Sequence, residues 1–169
     1  MTKHLIVIMG VSGCGKSTLA VKLADHLSCP MIEADDFHSE EAKSKMASGI
    51  GLSETDREPW LARVARACET QLNNSENVVA ACSALKKGHR NVFRKINAKI
   101  TFLWLNTPVE VIRQRLMNRK GHFATSTLLA SQFATLEPPE SESDCASINN
   151  QLSFDEQFSE CLEVIDGYK

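Results

Sequence analysis

The chain has 169 residues, of which 43% are hydrophobic and 24% charged, a composition typical of one globular domain with a full core. Its net charge of −2 excludes a nucleic-acid or membrane surface that depends on bulk charge. The amino-terminal apolar stretch is too short for a membrane span and lacks a signal-peptide cleavage region. We therefore expect a single domain over residues 1–169, without nucleic-acid or membrane partners.

Apolar strand-like runs alternate with helical patterns along the chain, which is typical of an α/β domain with a parallel sheet. Strands are predicted at residues 5–9, 30–33, 77–82 and 100–105, with a weaker fifth near 145–148. Helices are predicted at residues 16–27, 40–47, 58–73, 87–95, 108–119 and 154–165. Two glycine-containing stretches, 48–56 and 121–136, are expected to be mobile insertions.

Residues 10–17 read Gly-Val-Ser-Gly-Cys-Gly-Lys-Ser and match the motif G-x-x-x-x-G-K-[ST] at each fixed position. The motif lies between a predicted strand and a predicted helix, so the helix amino terminus opens at the loop. In such a phosphate loop, backbone N–H groups point at a polyphosphate, Lys16 reaches its outer phosphates and the Ser17 hydroxyl ligates Mg²⁺. The alternative is a glycine-rich turn without a ligand. The predicted nucleotide-binding residues are Gly10, Ser12, Gly13, Cys14, Gly15, Lys16, Ser17 and Thr18.

The six cysteines contain no C-x-x-C pair, which argues against a zinc site and for reduced thiols in the cytoplasm. Cys14 lies inside the phosphate loop, where a thiol reagent could modify it. The alternative is that Cys14 is there only because the loop needs a small residue.

Carboxylates follow the second predicted strand, at the sheet edge where ligands of parallel sheets bind. Asp35 and Glu33 alternate along a segment expected to be extended, so their side chains should project together. A phosphoryl-transfer enzyme needs one carboxylate to accept the proton of the acceptor hydroxyl. We assign that role to Asp35 and an outer metal role to Glu33. The alternative is an acidic turn in which Asp36 merely caps a helix.

Cations occur at three further places. Arg57 is expected just before a helix, free to bind a carboxylate or phosphate, or else paired with Asp56 at the surface. Lys86 and Arg90 follow the third strand, with a solvated helix start as the alternative. No aspartate ends that strand, so Mg²⁺ would rest mainly on Ser17, phosphates and water.

Arg115 and Arg119 share one face near the end of a basic helix. They are either ordinary partners of the helix dipole or arginines of a flap that closes over a nucleotide.

Taken together, the chain resembles the gluconate kinase (gluconokinase) family, in the shikimate-kinase-like branch of the phosphate-loop kinases. The resemblance runs from about residue 8 to residue 139. Its specific segments include Ala-Asp-Asp-Phe-His at 34–38, Asp-Arg-Glu-Pro-Trp-Leu at 56–61 and Gln-Phe-Ala-Thr-Leu-Glu-Pro-Pro at 132–139. The others are residues 9–18, 45–46, 81–87 and 119–123.

The resemblance implies a three-layer α/β/α P-loop nucleoside triphosphate hydrolase fold with a parallel sheet and a helical lid over about residues 113–136. It implies a cytoplasmic homodimer that uses ATP to phosphorylate D-gluconate at its 6-hydroxyl. By motif, Asp35 corresponds to the catalytic carboxylate, acting with Lys16, and Arg115 and Arg119 belong to the lid. The residues implied to face the sugar acid are Asp35, His38, Arg57, Lys86 and Arg90.

Four positions depart from the family pattern. Ser39 and Gly51 stand where the family usually has proline, Ala42 where it has asparagine, and Glu33 where it has aspartate. Loss of the asparagine removes hydrogen-bonding groups, and glycine in place of proline loosens the loop. Another aldonic acid, or a different small acceptor such as shikimate or a nucleoside, therefore remains an alternative to gluconate. A nucleotide-binding metabolite sensor without kinase activity is a further alternative.

Overall fold

The computed structural model describes residues 2–117, 122–149 and 151–167, and a five-stranded parallel sheet runs through it. The strand order is β2-β3-β1-β4-β5, with β1 in the centre. All five predicted strands are present, and their ends agree with the prediction to within one residue. The strands are β1 His4–Met9, β2 Met31–Glu33, β3 Asn77–Ala81, β4 Lys99–Asn106 and β5 Cys145–Asn149.

The described part of the chain also contains α-helices between and after the strands, and a short 3₁₀ helix, Ala34–Phe37, that directly follows β2. Two helices have the predicted bounds: α1 Lys16–Leu27 and α2 Glu40–Ala47. The remaining α-helices are α3 Glu54–Leu72, α4 Lys87–Arg94, α5 Val109–Met117, α6 His122–Thr135 and α7 Phe154–Gly167.

Helices cover both faces of the sheet, because both faces of β1 are apolar and buried. Ile6 and Ile8 belong to a core cluster that includes side chains of α1 and α7. Leu5 and Val7 belong to a second cluster that includes side chains of α3 and α4. Successive strand residues point to opposite faces, so one continuous apolar strand serves two cores. The three-layer α/β/α architecture is confirmed.

Helix α3 begins at Glu54, four residues before the predicted start. Ser53 caps it: the Ser53 hydroxyl accepts from the Asp56 backbone N–H at 3.2 Å, and the Asp56 carboxylate accepts from the Ser53 N–H at 3.0 Å. This reciprocal pair satisfies two helix-end donors. The prediction placed Pro59 in the first turn, whereas the helix carries it in its second turn. The stretch 48–56 is therefore irregular only up to Ser53.

Helix α6 occupies most of the stretch expected to be an insertion. Three threonines and two serines lower its intrinsic helix propensity, which is why the sequence pattern did not indicate a helix. Its side chains Leu128 and Leu129 are buried, so tertiary packing stabilises it. No helix in the described part of the chain is long and apolar enough to cross a bilayer.

We expect Ser53→Ala to lower the free energy of unfolding by about 1 kcal/mol, because the first turn of α3 loses its cap. Urea denaturation measures the change. Thr55→Ala, an exposed position in the same turn, is the matched control and should change stability by less than about 0.5 kcal/mol. Equal effects of the two substitutions would show that the capping pair does not stabilise the helix.

Candidate active site

The phosphate loop joins the end of β1 at Met9 to the start of α1 at Lys16. Its turns depend on glycine. Gly13 and Gly15 have φ angles of +82° and +97°, in the left-handed region that favours glycine. A Cβ on Gly10 would come within 2.8 Å of the Cys14 sulfur and 3.1 Å of the Leu105 carbonyl oxygen. Gly15 occupies the cap position of α1 and offers no side chain to bond the first N–H groups, which stay available for an anion.

Polar side chains at the loop mouth provide the groups that a nucleotide and its metal need. Lys16 Nζ lies over the loop and donates to the Val11 carbonyl at 3.1 Å. The Ser17 hydroxyl donates to a carboxylate oxygen of Glu33. A hydroxyl beside a carboxylate is an all-oxygen donor set, the kind that Mg²⁺ prefers. The residues present therefore suit both a polyphosphate and Mg²⁺.

Asp35 lies in the 3₁₀ helix rather than on an extended segment, so the expected strand-like alternation with Glu33 is wrong. The two residues are linked locally instead: the Asp35 backbone N–H donates to Glu33 Oε1 at 3.4 Å. Helix α3 holds both ends of the short helix. Trp60 Nε1 donates to the Ala34 carbonyl at 2.7 Å, and the Arg63 guanidinium donates to the Phe37 carbonyl at 2.7 and 3.0 Å. Asp35 is thus an exposed carboxylate on a fixed backbone.

Two cavities meet at Lys16 and Asp35. The loop cavity, of 510 Å³, lies along residues 12–18 and reaches Asp35 and Arg115. The second cavity, of 340 Å³, lies between the 3₁₀ helix, α2, α3 and α6. Both are lined by Ser12, Lys16 and Asp35, so molecules bound in the two cavities would come together at these three side chains.

His38 and Arg57, two of the residues implied to face the sugar acid, line the second cavity. The His38 ring stacks on Trp60 at 4.1 Å, and its Nδ1 has no hydrogen-bond partner among the described residues. Burial lowers the pKa of His38, and this effect outweighs the charge of Asp35, which acts to raise it. The ring is therefore neutral at pH 7. Arg57 lies inside α3 and not before it. It is 6% exposed and bonds Glu54 at 3.2 Å rather than Asp56, which pairs with Lys45.

Lys86 lies outside the lining of both cavities. Its Nζ is 3.4 Å from Glu54 Oε1, the oxygen that also accepts from Arg57 Nη1. Lys86 is thus linked through Glu54 to Arg57, which lines the second cavity.

Arg90 lies away from the second cavity, contrary to the expectation that it faces the sugar acid. Its side chain is completely buried and each of its nitrogens is bonded. Nη1 donates to the Ala84 carbonyl at 2.8 Å and Nη2 to the Glu137 carbonyl at 3.0 Å. Nε and Nη2 form a bidentate pair with Glu142 at 2.9 and 2.6 Å. Arg90 thus ties the segment after α6 to the turn that follows Ser83.

Arg115 Nη1 donates to the Gly13 carbonyl at 3.4 Å, so this side chain reaches the phosphate loop. Arg119, the second arginine of the predicted lid, lies outside the described residues.

Sequence reasoning did not select Gln132 or Lys43, which both line the second cavity. Gln132 accepts from the Ser12 backbone N–H at 2.6 Å and donates to the Ser12 hydroxyl at 3.0 Å. This buried amide ties α6 to the phosphate loop. The sequence offered one indication of a role for Gln132, which is that it begins the segment 132–139 that carries the resemblance. Lys43 has no such signal, since a lysine on a short polar helix is ordinary.

Comparison with known proteins agrees with this geometry. A family model described as an AAA domain matches residues 5–139. The parallel sheet and the phosphate loop with its adjoining cavities define a P-loop kinase.

Curated relatives and solved structures give the family. The chain is 42% identical to a gluconokinase of Arabidopsis thaliana, over 84% of this chain and 82% of that protein. It is 37% identical to the thermosensitive gluconokinase of Escherichia coli strain K12, over 98% of this chain and 89% of that protein. A solved gluconokinase structure from Sinorhizobium meliloti 1021 is 36% identical and covers 99% of this chain and 94% of its own, with a TM-score of 0.86. The chain belongs to the gluconokinase family.

The Arg90–Glu142 pair predicts an acid-sensitive fold. The hydrogen bond from Arg90, opposed by burial and assisted by Arg94, lowers the pKa of Glu142 from 4.5 to about 2. Since this pKa is depressed, the stabilisation is complete above pH 4.5 and is lost as the pH falls towards 2. We expect Glu142→Gln to lower the free energy of unfolding at pH 7 by about 3 kcal/mol, because it leaves a buried guanidinium unpaired.

Denaturant unfolding between pH 2 and pH 7 measures both effects. Glu140→Gln, an exposed carboxylate two residues away, is the control and should retain the acid dependence of the unmodified protein. An unchanged acid dependence in Glu142→Gln would contradict the assignment.

Proposed function

We propose that this protein transfers the γ-phosphoryl group of ATP to the 6-hydroxyl of D-gluconate, forming 6-phospho-D-gluconate and ADP. The observation that carries the proposal is the junction of the two cavities at Lys16 and Asp35. A kinase needs a donor site and an acceptor site that share a wall where the phosphoryl group crosses. The family of the relatives supports gluconate as the acceptor.

The loop cavity would hold ATP. Its polyphosphate would take the backbone N–H groups of the phosphate loop and the amino terminus of α1. Lys16 would exchange its bond to the Val11 carbonyl for the outer phosphates. Ser17 and Glu33, the latter through water, would hold Mg²⁺, which neutralises phosphate charge when bound.

Asp35 would accept the proton of the acceptor hydroxyl as its oxygen bonds to the γ-phosphorus. The bond from that phosphorus to the oxygen bridging the β- and γ-phosphates breaks, and ADP leaves. Lys16 would stabilise charge on the transferred group. We also assign Arg115 and Arg119 to a mobile lid over the phosphates. The contact between Arg115 and the Gly13 carbonyl of the loop supports this assignment.

The second cavity would hold the sugar acid. Arg57 supplies a buried guanidinium suited to a carboxylate. His38 also lines this cavity, and its imidazole is a polar side chain that could bond a sugar hydroxyl. Lys43 adds a second cation at the wall. We further propose that the working form is a homodimer in the cytoplasm.

The departures from the family pattern have local explanations. None of Glu33, Ser39, Ala42 and Gly51 is among the described residues that line the second cavity. The Ser39 hydroxyl caps α2 by accepting from the Ala42 N–H at 3.1 Å. A Cβ on Gly51 would overlap the Ser131 hydroxyl and lie 3.1 Å from Ser131 Cβ, so a side chain there would require Ser131 of α6 to move. This favours gluconate over another aldonic acid, because the altered residues shape helix ends and packing instead of the cavity wall.

An ADP-release assay tests the acceptor. We expect ADP formation that depends on gluconate, with kcat/KM at least tenfold above that for other aldonates, shikimate or nucleosides. A tenfold preference corresponds to about 1.4 kcal/mol of differential transition-state binding. Preference for another acceptor would overturn gluconate as the substrate. ADP formation with none of the acceptors would support a nucleotide-binding sensor.

We expect Asp35→Asn to lower kcat by about 10²–10⁴-fold, because the general base is lost, while ATP affinity stays near normal. Steady-state kinetics and nucleotide titration measure the two effects. Asp36→Asn is the matched control, since Asp36 is an exposed neighbour outside both cavities. Near-normal turnover in Asp35→Asn would refute the assignment of Asp35 as the base.

A further inference from the structure

Glu54, at the amino end of α3, receives donors from two helices. Its Oε1 accepts from Arg57 Nη1 at 3.2 Å and lies 3.4 Å from Lys86 Nζ. Its Oε2 accepts from His89 Nε2 at 3.0 Å. The side chains of Arg57 and His89 are 7% and 4% exposed, whereas that of Glu54 is 46% exposed. One carboxylate at the protein surface thus ties together three nitrogen-bearing side chains.

The hydrogen bonds of His89 determine its tautomer. The Lys86 backbone N–H donates to His89 Nδ1 at 3.1 Å, so Nδ1 carries no proton and the proton is on Nε2. Nε2 therefore donates to Glu54. Burial lowers the pKa of His89 even with Glu54 beside it, which keeps the ring neutral at pH 7. Both ring nitrogens are then satisfied without a positive charge.

Glu54 is ionised at neutral pH. Partial burial acts to raise its pKa, but the hydrogen bonds from His89 and Arg57 and the charge of Lys86 outweigh it and lower the pKa. The carboxylate lies outside the lining of the second cavity, whereas Arg57 belongs to that lining. Arg57 therefore has one side bonded to protein and another facing the space where the acceptor would bind.

We propose that Glu54 is a positioning residue that fixes the Arg57 guanidinium for the carboxylate of the sugar acid. On this proposal Lys86 and His89 hold Glu54 and do not contact the substrate, which revises the role that the resemblance implied for Lys86. The inference rests on the proposed function, because Arg57 needs an anionic acceptor to bind. A guanidinium held in place before binding loses less side-chain freedom on binding, and this improves affinity.

Steady-state kinetics of the unmodified enzyme and three variants test the proposal. We expect Glu54→Gln to raise the KM for gluconate about tenfold, because Arg57 loses its charged anchor. The KM for ATP and kcat should each change by less than about threefold, since Glu54 is outside the loop cavity. Glu54→Asp keeps the charge and should recover most of the affinity. Glu58→Gln, an exposed carboxylate in the next turn of α3, should behave as the unmodified enzyme.

A double-mutant cycle shows whether Glu54 acts through Arg57. If it does, Glu54→Gln should raise the KM for gluconate less than about twofold when added to Arg57→Gln. Independent, multiplicative effects would overturn the proposal. An unchanged KM in Glu54→Gln would overturn it too, and so would a lowered KM, which would mean that Glu54 competes with the substrate carboxylate for Arg57.

Three measurements separate the role of Glu54 from the proposed function and from the stability of the variants. Gluconate-dependent ADP release by the unmodified enzyme tests the proposed function alone, whereas the variants are judged by their change from that enzyme. Thermal unfolding of each variant checks the fold, and calorimetric titration with gluconate gives affinity without turnover. A loss of gluconate affinity in Glu54→Gln that Glu54→Asp does not recover, with an unchanged unfolding temperature, would also overturn the positioning role.

Discussion

The parallel pairing of β1 with β3 and β4 is the constraint on which the rest of the site depends. The register places Ile8 beside Ala81 and Leu103, so the chain leaves all three strands at one edge of the sheet. Two backbone bonds extend the pairing past the strand ends: Cys82 N–H to the Ile8 carbonyl at 3.0 Å and Gly10 N–H to the Ser83 carbonyl at 3.3 Å. The phosphate loop and Ser83, which lines the second cavity, are therefore held together before any ligand binds.

Helix α3 is the second element of this framework. It starts at the Ser53 cap, and its next turns present Arg57, Trp60 and Arg63 to three different parts of the site. Trp60 and Arg63 hold the two ends of the 3₁₀ helix that carries Asp35. Arg57 faces the second cavity. A displacement of the whole helix would thus move Asp35 and the wall of the second cavity together.

The cations of the protein divide into structural and ligand-facing sets according to their partners. Arg90 and Arg94 share Glu142, and Arg94 also pairs with Asp144, so they stabilise the segment after α6. Lys16 donates to the backbone carbonyl of Val11, and a phosphate oxygen can take the place of that carbonyl. An arginine such as Arg90, whose nitrogens are all bonded within the protein, is a structural group. Lys16, which donates to a carbonyl, and Arg57, which pairs with one carboxylate and lines the second cavity, can still bind an anionic ligand.

Local sequence determined the strands, the bounds of α1 and α2, and the phosphate loop, because each depends on side-chain pattern or glycine content over a few residues. The loop by itself predicted a polyphosphate site at a helix amino terminus, and the separated motifs predicted the family that the comparisons confirm. Tertiary structure alone decided the helix of residues 122–135, which packing stabilises against its own propensity. It also decided the roles of the basic residues. Arg90 and Arg57 look alike in sequence. Arg90 is completely buried and pairs with Glu142, 52 residues away, whereas Arg57 pairs with Glu54 one turn earlier in its own helix and lines the second cavity. A pair three residues apart on a helix can be read from a local pattern, but the partner of Arg90 and the cavity beside Arg57 depend on how the helices pack.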